Sequence, residues 1–295
     1  MVRSQQHAPI GAGPVVRTAL VMAALIALLG IGGWAFAGTG GLYVMLAVGL
    51  VINVGSYWFS DRIALGVHGA RPVARQDAPP LYQIVDDLSR RAGIPVPRIY
   101  VIPSDHANAF ATGRGPHHAA VAVTEGLVDL LDDRELEGVL AHELSHVRNR
   151  DVLIATVAAG IAGVISSIGY ALQWDVMLGT EEHDRRDSGL AALAWIVVAP
   201  IVAMLLQLAL SRAREYEADA SGARLTGDPD ALADALARLD VASAHRPYGN
   251  AGPATAHLFL INPLRGGAGR VLALLSTHPP IADRIARLRA MRVTR

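Results

Sequence analysis

Four apolar runs alternate with polar stretches along this chain of 295 residues. Residues 15–36 are broken only by Arg17, and residues 42–59 follow after the turn Ala37-Gly38-Thr39-Gly40-Gly41. Two more runs occupy residues 152–172 and 190–210. Each is long enough, as a helix, to cross the ~30 Å hydrocarbon core of a bilayer. The pattern therefore predicts two transmembrane hairpins. A signal peptide is the alternative for the first run. That run is long for a leader's apolar segment, however, and the second run follows almost at once. A buried hairpin of a soluble protein is the alternative for the last two runs, against which their length and lack of charge weigh.

Between and after these runs the period changes. Leu81, Ile84, Val85 and Leu88 recur at helical spacing across residues 81–92, and Gly93 stops the helix. Residues 98–102, 108–112 and 119–124 read as strands, the last two joined through Gly113-Arg114-Gly115-Pro116. Thr124 caps a short helix over 125–131. Asp132 and Glu135 have capping-box spacing, and Leu136, Val139, Leu140, Leu144 and Val147 form an apolar stripe, predicting a helix over 133–150. Asp228-Pro229 opens a helix to about residue 243, and residues 279–291 form a last, Arg-rich amphipathic one. The fold class expected is mainly α with a small β-sheet. Residues 1–14 read as a disordered start, 15–59 as the first hairpin and 152–210 as the second. Residues 60–151 and 211–295 are then two parts of one soluble domain.

Composition sharpens this picture. The chain is 52% hydrophobic with 18% charged residues and a mean hydropathy of +0.34, too apolar for an ordinary soluble domain. Zero formal net charge gives no indication of a nucleic-acid partner. There is no cysteine, which excludes disulfides and thiolate metal ligands, so a zinc ion would need His and carboxylate donors. Every Lys/Arg position is Arg. Arg3, Arg17, Arg62, Arg71, Arg75, Arg148, Arg150, Arg212 and Arg214 fall on one side of a four-span topology. By the positive-inside rule both termini and the soluble domain are then cytoplasmic.

The candidate chemistry lies at His142-Glu143-Leu144-Ser145-His146. On a helix, His142 and His146 share one face a turn apart and can share a tetrahedral zinc. Glu143, beside the first ligand, can reach a zinc-bound water and take its proton. The bland alternative is a solvated helix with two stray histidines. The second half of the site is expected just after the fourth run, at Ser211-Arg212-Ala213-Arg214-Glu215-Tyr216-Glu217-Ala218-Asp219. Two crossings return the chain to the membrane face that carries His142. Glu215 and Asp219, four apart on a helix, suit one metal ligand and one carboxylate that accepts a ligand's N–H; Glu217 points elsewhere. An exposed Arg/Glu face is the alternative.

These two motifs resemble those of the HtpX-type membrane metalloproteases, whose wider family holds the CAAX prenyl endopeptidases. Further matching stretches are Asn108-Ala109-Phe110-Ala111-Thr112-Gly113, Val121-Ala122-Val123-Thr124-Glu125-Gly126-Leu127, and Thr277-His278-Pro279-Pro280 with Arg284. The resemblance covers roughly residues 81–288, and the 173–189 connector and 244–256 loop fall outside it. It implies a gluzincin-like zinc metallopeptidase domain with four transmembrane helices and one Zn²⁺ per chain. It also implies Glu215 as third ligand and Asp219 as an orienting residue. The activity expected is an endopeptidase of the bacterial inner membrane, acting in quality control of misfolded membrane proteins, with the bilayer and protein substrates as partners. Asn108, Ala109, Phe110 and Ala111 could form an edge strand for an extended substrate. His278 could stabilise the transition state or merely pack at a helix start. CAAX processing, an intramembrane protease and a non-catalytic zinc scaffold are the alternatives. The polar flanks Asp132-Asp133-Arg134-Glu135 and Arg148-Asn149-Arg150-Asp151 argue against a site inside a span, and an intact Glu143 argues against a scaffold.

Overall fold

The computed structural model describes residues 12–149, 212–245 and 279–294. The expected third and fourth spans, the 173–189 connector, most of the 244–256 loop and His278 lie outside the described residues. The first described element, α1 (Ala12–Val67), is two helices joined at a kink, with Ala37 and Gly38 in non-helical conformations. The halves run antiparallel and meet backbone to backbone. A Cβ on Gly33 would stand 2.3 Å from the Gly41 carbonyl oxygen, so only glycine permits that approach. Leu20, Ile31, Trp34, Tyr43, Leu50, Val51 and Val54 remain exposed along it. No helix among the described residues is long and apolar enough to cross a membrane.

After α1 come β1 (Arg71–Pro72), α2 (Pro79–Ala92) and β2 (Arg98–Ile102), then β3 (Ala109–Thr112), β4 (Ala120–Thr124) and α3 (Glu125–Leu130). The helix α4 (Asp133–Asn149) carries the His-Glu pattern. Beyond it lie α5 (212–226), α6 (Pro229–His245) and α7 (Ile281–Ala290). Local signals set the boundaries as the sequence led us to expect. Gly93 ends α2 at φ 68°. The Thr124 hydroxyl accepts the Leu127 N–H, and Asp228 Oδ1 accepts the Asp230 N–H at 3.0 Å.

The sheet order is β1-β2-β4-β3, with β2 and β4 parallel and β3 antiparallel to β4. Alternation sends Val121 and Val123 of β4 to a core shared with α2, α4, α6 and α7. Ala120 and Ala122 face the other way, against Ala64 and Leu65 at the end of α1. Both faces of β4 are therefore covered. β3 is left as an edge, held between α4 and the foot of the hairpin.

Candidate metal centre

The candidate metal centre starts with the cap of α4. Asp132 Oδ1 accepts the Glu135 N–H at 2.8 Å and Glu135 Oε2 accepts the Asp132 N–H at 3.1 Å, a reciprocal capping box. With the helix phase set, Leu136, Val139, Leu140 and Leu144 go into the core. His142 and His146 then emerge together on one face. Their Nε2 atoms lie 3.2 Å apart, with the rings edge to face.

Helix α5 supplies the opposite wall. Glu215, Asp219 and Gly222 recur at i, i+4 and i+7, so one face presents all three to α4. Gly222 allows the contact: a Cβ there would stand 2.9 Å from the His142 backbone nitrogen. The Glu215 carboxylate comes within 3.6 Å of His142 Nε2 and 3.4 Å of His146 Nε2. Donors about 2.0–2.1 Å from a tetrahedral zinc are separated by roughly 3.3–3.4 Å. The three observed separations bracket that edge length, so these side chains could hold one metal ion. Glu217 is exposed on the far side of α5.

Behind the donors lies a buried charged network. His142 Nδ1 is 3.0 Å from Asp219 Oδ1. Asp219 accepts two bonds from Arg284, at 2.8 Å from Nε and 2.7 Å from Nη2. Arg284 Nη1 also approaches Glu215 Oε2 at 3.5 Å, and the Arg284 side chain is wholly buried. Burial works to raise the Asp219 carboxyl, but the Arg284 guanidinium and the His142 ring outweigh it and hold it at about 2. Burial likewise works to lower His142, and the Asp219 and Glu215 carboxylates outweigh that, holding the imidazole above its ordinary range. Metal binding needs the neutral ring and therefore releases a proton.

The sign of the Asp219 shift gives a prediction. A depressed carboxyl contributes stability that is present above pH ~4 and lost as pH falls through about 2. An Arg284→Gln variant removes the cause and leaves buried carboxylates without their counter-charge, a change that costs about 3–5 kcal/mol for a broken buried pair. Its acid-unfolding midpoint should move to higher pH and its metal affinity fall roughly 10–100-fold. Circular dichroism against pH with a metal titration checks both; a variant matching wild type in each removes Arg284 from the site.

Glu143 turns from α4 toward the sheet edge, where Oε2 accepts the Ala111 N–H at 2.8 Å. Burial pushes its carboxyl up, opposed by His142, His146 and that N–H. A buried carboxylate whose proton affinity is raised, beside a candidate metal site, is suited to accept a proton from water. Just before β3, the Asn108 carbonyl faces β4, accepting the Thr124 N–H at 2.9 Å. Antiparallel alternation turns the backbone groups of Ala109 and Ala111 outward, and the Glu143 bond to Ala111 agrees with that. Phe110 goes the other way, onto His68.

Of the residues singled out from sequence, the fold brings His142, Glu143, His146, Glu215, Asp219 and β3 together, while His278 is outside the described residues. The network adds Arg284, to which the motif reading assigned no role. A signal was available. Arg284 interrupts the apolar face Ile281-Ile285-Leu288 of α7, and a cation there needs a buried counter-charge.

Two histidines and a glutamate around one point, with a second glutamate beside them, form the constellation of a metal-dependent hydrolase. The comparisons with known proteins agree. The description "Peptidase family M48" matches residues 75–292. A protease HtpX homolog of Syntrophobacter fumaroxidans is 48% identical over 284 residues, covering 95% of this chain and 100% of that one. One from Pyrococcus furiosus is 48% identical over 281 residues, covering 95% and 96%. The crystal structure of S. mikatae Ste24p is alike in fold, with a TM-score of 0.53 at 19% identity; the match covers 93% of this chain and 64% of that one. This chain belongs to peptidase family M48 and is a metalloprotease.

Proposed function

We propose that this chain is a zinc-dependent endopeptidase in which His142, His146 and Glu215 hold the metal and Glu143 is the general base. The observation that carries the reading is the set of 3.2, 3.4 and 3.6 Å separations among three donors of which two lie on α4 and one on α5. Bound zinc supplies a Lewis acid that acidifies water at neutral pH. Glu143 accepts the proton of the attacking water and passes it to the leaving amine nitrogen. Asp219 fixes the His142 ring through Nδ1, and Arg284 fixes Asp219. The outward edge of β3 pairs with the substrate main chain, which suits extended substrates over folded ones.

The same reading places the chain in a bacterial inner membrane, with residues 60–151 and 211–295 forming the peptidase unit on the cytoplasmic side. Four apolar runs, the one-sided placement of Arg and the exposed apolar side chains of α1 support it. Unfolded membrane proteins are the substrates this placement favours. The test is cleavage of casein by the full chain purified in detergent. Chelation should abolish it, and zinc should restore it at one equivalent per chain. Cleavage that persists after complete metal removal rejects the mechanism.

A further inference from the structure

The foot of the hairpin carries a cluster that the catalytic reading leaves unused. The second apolar run of α1 ends in Trp58 and Phe59, 53% and 49% exposed. One turn on, the Arg62 guanidinium lies 5.8 Å from the centre of the Phe59 ring. From a distant part of the chain, the turn after β3 brings the Arg114 guanidinium 4.6 Å from the Trp58 ring. Arg114 Nη2 also lies 3.2 Å from His118 Nε2. Neighbouring cations are neutralised: Arg98 by Asp61 at 2.6 Å, and Arg75 by Asp86. Arg62 and Arg114 enter no ion pair among the described residues.

We propose that Arg62 and Arg114, framed by Trp58 and Phe59, seat the phosphate of an anionic phospholipid headgroup. This rests on the membrane placement proposed above. Charge complementarity selects the occupant. Exposed aromatic rings at the end of an apolar run belong at the lipid–water boundary, with an apolar body toward the chains and an edge toward water. A guanidinium held against such a ring keeps further N–H groups for phosphate oxygens, in Arg114 those beyond the Nη2 contact with His118. Two such groups, brought from separate elements against the adjacent rings Trp58 and Phe59, form a two-pronged phosphate site.

Arg114 follows Ala111 by three residues, at most ~10 Å along the chain, so the seat lies near the sheet edge at which Glu143 accepts the Ala111 N–H.

The experiment is native mass spectrometry of the full chain in detergent, titrated with phosphatidylglycerol and with phosphatidylcholine. Wild type should retain phosphatidylglycerol in preference. The Arg62→Gln/Arg114→Gln double variant should lose about 25-fold of that preference, roughly five-fold per Arg near an anionic surface. Its metal content and thermal midpoint should match wild type. An Arg90→Gln/Arg224→Gln double variant, altered on exposed helix positions elsewhere, should keep the preference. No preference in wild type, survival of the preference in the first double variant, or equal loss in both overturns the proposal. Alkaline extraction of membranes from expressing cells separates the two readings. Wild type released into the soluble fraction overturns the membrane placement itself, whereas retention without lipid preference overturns only the headgroup seat.

Discussion

Zinc content should fall to background in a Glu215→Ala variant and stay at the wild-type level in Glu217→Ala, while Asp219→Ala should require roughly 10–100-fold more free metal. The series follows from the face of α5 each carboxylate occupies. Glu215 reaches the space between the two imidazoles, at 3.6 and 3.4 Å from their Nε2 atoms. Without it two nitrogens on one helix remain, too few for a stable tetrahedral site. Asp219 touches the far nitrogen of His142, so its loss leaves all three donors but frees the ring to rotate. Glu217, about 200° around the helix from Glu215 at roughly 100° per residue, faces solvent. Metal analysis and zinc titration of the three purified variants decide the matter. If Glu217→Ala strips the metal while Glu215→Ala keeps it, the proposed ligand set is wrong.

A Glu143→Gln variant should bind zinc as wild type does and cleave about 10²–10⁴-fold more slowly, the usual contribution of a positioned base. Gln is the informative replacement because its side-chain oxygen can still accept the Ala111 N–H that anchors Glu143 at 2.8 Å. The change removes basicity while leaving volume and the hydrogen bond in place. Burial, which pushes the Glu143 carboxyl up, makes the native group costly to ionise. The variant should therefore melt no lower than wild type, which separates loss of chemistry from loss of fold. Retained cleavage at near wild-type rate with full metal occupancy would assign the proton transfer to another group.

Much of the local structure was legible because its causes are local. The α4 cap depends on two side chains three residues apart, Asp132 and Glu135, and its inward face on a stripe with helical period. The strand at 98–102 matches its observed bounds, because alternation and flanking turn residues act within a few positions. The first hairpin turn was likewise marked by its run of glycines, and the break falls at Ala37 and Gly38. What pattern alone misplaced is small. The strand expected from residue 108 begins at Ala109, and the pairing of β1 with β2 involves only two residues, too short for a periodic signal.

By itself, then, the sequence determined the helix that carries His142, Glu143 and His146, the shared face of Glu215 and Asp219, and the absence of any thiolate donor. Each follows from residue type and spacing along one element. Tertiary structure decided which edge of the sheet meets Glu143, how closely α5 crosses α4 at Gly222, and that Arg284 closes the network from the far end of the chain. It also brought Arg114 to Trp58. These depend on strand order and on backbones approaching to within contact, between residues separated by loops whose path no local period encodes. A periodic pattern shows which face of a helix is turned inward; only packing selects the residue it meets there.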